Sequence, residues 1–403
     1  MTAVMKGVRV LEVAEHTFVP SASALLADWG ADVIKIEPVE GGDAMRGLAS
    51  TGVVDIASDV HVLLEHSNRG KKSLAVDLST AAGVEIVYKL ASTSDVFLTN
   101  KVPRVRKKLK IDVEDIRAHN PDIIYVRGTG QGERGPDADR GGYDHLSFWS
   151  RTGMAVGVSR PDYEFVPIQP GPAYGDSIGG LAIAGGIMGA LYHRERTGEA
   201  PVVDASLFGV GLWAVGPAVA LGLQSGLPWQ QPDLVRPNPL AAEYRTKDGR
   251  WLSFTCLQAG KYWPEICGIL GHPEWIADER FKDHHSLLAN RADAAALLRE
   301  ALAQFSAAEW RDKLAGFSGQ WVVVQNTVEA AEDPQAVANG YVQECTSSGG
   351  VSFKLVAAPL QFDGEPARPA RAPEFNEHGD GILVDLGYDW EEIIDLKTRN
   401  VVA

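Results

Sequence analysis

"VRVLEVAEHTFVPSASALLADWGADVIKIE", residues 8–37, reads as one strand–helix–strand unit. "VRVLEVA" (8–14) is a short apolar run of strand character. "PSASALLADWG" (20–30) predicts a helix, with Pro20 near its start and Gly30 as its stop. "ADVIKIE" (31–37) is a second strand. The same alternation continues outward. "KSLAVDL" (72–78), "DVFLTN" (95–100) and "DIIYVRGTG" (122–130) read as strands. "TAAGVEIVYKLASTS" (80–94) and "VEDIRAHNP" (113–121) read as the helices between them. Strands and helices in strict alternation predict an α/β fold with a parallel, doubly wound sheet.

The chain has 403 residues, of which 45% are hydrophobic and 23% charged. That length and composition suit two globular domains. Residues 1–223 form the large domain in this reading and 224–241, rich in proline and polar residues, a linker. Residues 242–330 form a smaller α+β domain, and 331–403 the remainder. A formal net charge of −15 argues against nucleic acid and anionic membrane surfaces as partners. Three cysteines, Cys256, Cys267 and Cys345, make no C-x-x-C pair, which fits a reducing cytoplasm. The opening "MTAVMKGVRVLEVAEH" reads as a strand rather than a signal peptide. "LFGVGLWAVGPAVALGL" (207–223) is uncharged, but its four glycines and Pro217 predict a buried, broken helix rather than a membrane span.

Chemistry concentrates in "AYGDSIGGLAIAGG" (173–186). Gly175 to Gly179 fits G-x-S-x-G, with Ser177 as a serine nucleophile. That motif needs a strand running into the turn, and Pro167, Pro170 and Pro172 precede it instead. One residue earlier, Asp176 occupies an N-cap-like position at the mouth of an apolar helix. Helix N-terminal donors would keep it ionised, and an accessible carboxylate can attack an activated carbonyl. Gly175, Gly179 and Gly180 would give a substrate clearance.

Two further motifs lie outside this stretch. Gly130 to Gly135 fits G-x-G-x-x-G but opens no helix, so no dinucleotide site is expected there. "NKVPRVRKKLK" (100–110) is a basic run at a strand's carboxyl end, a position suited to a polyanionic ligand. No metal site is expected, because His284 and His285 lack ligand spacing.

Taken together, these segments resemble the family III CoA-transferases, a family that also contains α-methylacyl-CoA racemase. The matching stretches are residues 7–46, "NRGKKSLAVDLSTAAG", "DVFLTN", "NPDIIYVRGTGQGERGP", "GGYD", "GDSIGG" with "GALYHRERTGE", and "DERF" with "NR". The resemblance implies a large Rossmann-like domain with a parallel sheet, a smaller α+β domain, and a C-terminal return to the large domain. It also implies an interlocked-ring homodimer. The implied reaction moves CoA from an acyl-CoA donor to a carboxylic acid, through a mixed anhydride and an aspartyl-CoA thioester on Asp176. Coenzyme A enters as substrate. Its implied contacts are His16, Thr17, Val76 and Asn100, then Lys101, Arg104, Lys108 and Tyr143.

Some positions depart from the family. Thr17 stands where glutamine is frequent, and Lys101 where an aromatic or apolar residue is usual. The loop "CLQAGKY" (256–262) holds one glycine, Gly260, which speaks against oxalate or formate as substrate. Tyr143 replaces the histidine of the racemase branch, which favours transfer over racemisation.

Overall fold

A computed structural model describes residues 2–50, 52, 55–56, 58–160, 162–229 and 236–403. The unit at 8–37 folds as β1 (Arg9–Val13), α1 (Phe18–Asp28) and β2 (Asp32–Glu37). The series continues with α2 (Val62–Asn68), β3 (Lys72–Ala75), α3 (Ala81–Ala91), β4 (Val96–Thr99), α4 (Pro103–Leu109), α5 (Val113–Arg117) and β5 (Ile124–Thr129). A π-helical turn, His145–Ser150, and a short α6 (Met154–Gly157) precede the long α7 (Tyr174–Thr197) and β6 (Val202–Ser206). The six strands run parallel in the order β3-β2-β1-β4-β5-β6. The order reverses at β1, the topology in which α/β sheets place ligands beyond the strands' carboxyl ends.

Period-two alternation sorts the strand residues. Val10, Val33, Val96, Leu98 and Val126 pack with α1 and α7, while Leu11, Ile34, Phe97 and Tyr125 pack on the opposite face. Glu12 and Lys35 lie opposite each other in the β1–β2 register. Both are fully buried and pair at 2.8 Å. Lys35 also pairs with Asp43 at 2.8 Å, and Glu12 with Lys71 at 2.8 Å. Lys71 Nζ spends its other two protons on Pro20 O and Asn68 Oδ1. Two anions and two cations thus balance in a dry site.

By contacts the chain divides into two units, Met1–Gln230 with Pro334–Ala403, and Gln231–Asp333. The linker reading of 224–241 falls partly on residues 230–235, which lie outside the described residues. Helix continues to Ser225 at its start. The second unit has a three-stranded antiparallel sheet, β7 (Glu243–Arg245), β8 (Trp251–Phe254) and β9 (Trp321–Val323). Helices cover it, among them α10 (Ala259–Leu270), and Phe254, Trp263, Leu298 and Trp310 fill its core.

In the first unit, residues 334–403 form a hairpin, β10 (Val342–Thr346) and β11 (Ser352–Val356), and two closing helices, Gly379–Asp385 and Trp390–Thr398. Val402 then bridges Val76 antiparallel, and Asp77 N donates to Val401 O at 2.8 Å.

No single described helix is long and apolar enough to cross a membrane. The 207–223 stretch is broken, with α8 (Leu207–Ala214) and α9 (Gly216–Ser225) meeting at 72°. Val215 and Gly216-Pro217 form the break, where proline opens α9. The reading of this stretch as buried is corrected. Trp213 is 85% and Leu223 82% exposed, and α9 has no fully buried residue.

Candidate active site

The loop leaving β1 is fixed from below. His16 takes a left-handed φ of 65°, and its N–H donates to Asp43 Oδ1 at 2.9 Å. Asp43 is in turn held by Lys35. Burial raises the cost of the Asp43 charge, yet Lys35 and two backbone donors bring its pKa below the ordinary carboxylate value. Glu12 is lowered in the same way by Lys35 and Lys71. Lys71 bears burial and the like charge of Lys35, and is pushed down to about 7. Thr17 follows as the N-cap of α1, buried and without a side-chain capping bond.

At the β4 exit, Asn100 clamps this loop. Its Nδ2 donates to Glu15 O at 2.7 Å, and its Oδ1 accepts from Glu15 N at 3.3 Å. Lys101 pairs with the Glu15 carboxylate at 2.7 Å. A cleft of about 610 Å³ opens beyond the strand ends, with Val13, Glu15, Ile36, Val76, Lys101 and Asn400 among its lining residues. The basic run beside it is divided. Arg104, Lys107 and Lys108 reach solvent. Arg106 turns inward, 1% exposed, onto Asp112 at 3.0 Å and Glu133 at 2.5 Å.

Gly130 to Gly135 forms a loop-on-loop seam. A Cβ on Gly130 would meet Gly142 Cα at 2.5 Å, so the 130–132 turn packs tightly against "GGYD". That seam presents Tyr143, 63% exposed, edge-on to the His16 ring at 5.9 Å. The next residue, Asp144, is buried.

Asp144 answers the capping question. Ala173 holds the N-cap position of α7 in a left-handed conformation (φ 57°) and provides no side-chain bond. Asp144 Oδ1 and Oδ2 accept from Gly175 N at 3.0 and 3.1 Å, and Gln169 Nε2 donates to Oδ2 at 2.8 Å. Asp176 is the third residue of the helix, within its first turn, and is not its cap. The reading that helix donors keep it ionised is therefore corrected, because Asp144 takes those donors. The Asp176 carboxyl is desolvated, although the residue retains some exposure. Burial first, and the like charge of Asp144 second, push its pKa up to about 8.

Ser177 Oγ donates to Ala173 O at 2.8 Å and lies 3.1 Å from His66 Nε2. The hydroxyl has one proton, already spent on the carbonyl. His66 therefore carries hydrogen on Nε2 and donates to Ser177. Burial and Arg69 push its pKa down to about 4, which keeps the ring neutral. That polarity is the reverse of what a serine nucleophile requires. No sequence motif singles out His66.

The expected clearance at the glycines is also corrected, since protein fills it. A Cβ at Gly175 would meet Phe148 Cγ at 2.2 Å. At Gly179 it would meet the Phe18 ring at 2.3 Å, and at Gly180 Ser21 Oγ at 1.9 Å. These glycines let α1 and the π-turn approach α7. In the second unit, Gly260 belongs to the first turn of α10, and its N–H donates to His284 Nδ1 at 3.3 Å. Among the described residues no cluster of three or more His, Cys, Asp or Glu has metal-binding geometry.

Comparison with known proteins shows the family. The model of CoA-transferase family III matches residues 5–379. An (R)-2-hydroxy-4-methylpentanoate CoA-transferase from Clostridioides difficile is 30% identical over 99% of both chains. The human succinyl-CoA:glutarate CoA-transferase is 29% identical over 99% of this chain and 90% of its own. A CaiB/BaiF family protein from Brucella suis superposes with a TM-score of 0.82. It is 29% identical and covers 96% of this chain and 100% of that one. The chain belongs to CoA-transferase family III.

Proposed function

We propose, from that membership, that the protein transfers CoA from an acyl-CoA to a carboxylic acid, with Asp176 as the nucleophile. The observation that carries the reading is Asp176 itself, a desolvated carboxyl beside a second carboxyl and raised to about 8. Water solvates such a group poorly, so its ionised form is a strong nucleophile once a thioester carbonyl is presented.

Asp176 attacks that carbonyl, the C–S bond breaks, and the CoA thiolate leaves with the electron pair. The product is a mixed anhydride. The thiolate then attacks the aspartyl carbonyl and releases the donor acid, leaving an aspartyl-CoA thioester. The acceptor carboxylate attacks this thioester, giving a new anhydride and free thiolate. Attack of the thiolate on the acceptor's acyl carbonyl yields the new acyl-CoA and restores Asp176.

In this reading the cleft at the β1–β4 ends holds CoA. Val76 supports the nucleotide, and Lys101, Arg104 and Lys108 face the phosphates. His16, Thr17 and Tyr143 stand toward the thioester, and Asn100 fixes the loop that carries them. The bare faces of α8 and α9 support an interlocked homodimer. Three unpaired cysteines support a reducing, cytoplasmic setting. The apolar α8 stretch favours a larger, weakly polar acyl group over oxalate or formate.

Hydroxylamine trapping after incubation with acyl-CoA tests the nucleophile. Peptide mass spectrometry should place the hydroxamate on Asp176, and Ser177→Ala should retain activity within about twofold. A hydroxamate on Ser177 would overturn the assignment. Exchange of the acyl α-proton in D2O without transfer would point to racemisation instead.

A further inference from the structure

We infer that Asn400 reads the hydrogen-bonding edge of the adenine of CoA, an inference that rests on the transfer reading above. The cleft presents apolar walls, Val13, Ile36, Val76 and Leu78, of the kind that take the faces of a flat base. Its charged residues are committed apart from the exposed Glu40, and Asp77 Oδ1 accepts from Ser79 N at 2.8 Å. Glu15 is paired with Lys101, and Glu37 is engaged by Arg46 at 2.7 Å and by Ser73 Oγ at 2.6 Å. Asn400 lines the same cleft, and its side-chain amide has no hydrogen-bond partner among the described residues. An amide carries an acceptor oxygen beside donor hydrogens. That pair complements the amino donor and ring-nitrogen acceptor of adenine, the match by which asparagine recognises this base.

Asn400 is exposed, and its backbone is fixed from both sides. Asn400 is the left-handed residue (φ 53°) just past the helix Trp390–Thr398. Its N–H donates to Lys397 O and that of Val401 to Leu396 O, both at 2.9 Å. Beyond it, Val401 O accepts from Asp77, and Val402 bridges Val76 at the exit of β3. Val401 and Val402 are buried, and Asn376 Nδ2 donates to Ala403 O at 2.7 Å. Asn400 is therefore anchored at the wall of the cleft by the chain that follows it. A role in stopping the helix would be met as well by glycine, so glycine separates the two roles.

The test measures binding of CoA and of 1,N6-etheno-CoA, whose adenine edge is blocked, by calorimetry on the full chain. The wild type should bind CoA roughly tenfold more tightly than the etheno analogue. Asn400→Gly keeps the backbone conformation and should bind both with the weaker affinity. Asn400→Asp, which keeps the acceptor for the amino group and loses the donor to the ring nitrogen, should keep only part of the preference. A preference retained in Asn400→Gly, or absent from the wild type, overturns the inference and leaves the transfer reading standing. A wild type that binds no CoA overturns the transfer reading itself.

Discussion

Two pairs of buried carboxylates lie in the sheet-bearing unit, and they differ in what surrounds them. Glu12 and Asp43 share buried Lys35, Glu12 also pairs with Lys71, and both carboxylates are held below the ordinary carboxylate pKa. Asp144 and Asp176 have no cation among their bonds, and both are raised. Burial is common to the two pairs, so it does not decide their state. Compensation decides it. The first pair braces a loop, while the second keeps a carboxyl reactive near neutral pH.

The largest effect should come from the uncompensated pair. Asp176→Asn should lower kcat by at least about a thousandfold without lowering the melting temperature. The same variant changes the pH dependence of stability. A carboxyl raised to about 8 gives stability that is whole only below the ordinary carboxylate pKa, falls as pH rises from there, and is gone above about 8. Melting curves from pH 6 to 9.5 should show the wild type losing stability relative to Asp176→Asn up to about pH 8, a difference from which the opposite trend of Lys71 cancels. The lowered Glu12 and Asp43 act with the opposite sign. Their contribution is present above the ordinary carboxylate range and is lost as pH falls through their depressed values.

Next in size, Lys35→Met should cost about 3–5 kcal/mol, because it strands the buried Asp43 carboxylate and leaves Glu12 to Lys71 alone. Urea unfolding measures this, and a loss under about 1 kcal/mol would show that the network is not needed to hold the loop. The smallest effect belongs to Asp144→Asn. The amide oxygen still accepts from Gly175, but the like charge beside Asp176 is gone. The acid limb of kcat/KM should then move down from about 8, with about tenfold gained at low pH for each unit of movement. An unmoved limb would make burial the whole cause of the shift.

The strand and helix alternation of 8–130 was readable because each strand is buried on both faces and so forms an apolar run. Asp176 stood out because a carboxylate at the mouth of an apolar helix is conspicuous. What escaped depends on partners far along the chain. Asp144 caps α7 from 31 residues upstream of Gly175, and no local pattern signals it. Gly175, Gly179 and Gly180 are spaced as substrate clearance or as helix packing would space them, and only the positions of Phe18, Ser21 and Phe148 decide. Arg106 reads as one of a run of surface cations until Glu133 folds against it. Hydropathy finds the 207–223 stretch but is silent on which way it faces.

The sheet-bearing unit is assembled from two stretches of chain with the second unit threaded between them. During synthesis at roughly 5–20 residues per second, β1 to β6 emerge and then wait on the order of ten seconds or more for residues 334–403. Over that interval the edge of β3 lacks Val402, and Leu74 and Val76 lack the cover of Ile382, Leu383 and Ile393. The nascent sheet thus has an apolar edge open to chaperones before its own sequence reaches it, and translation speed through the second unit sets how long that exposure lasts.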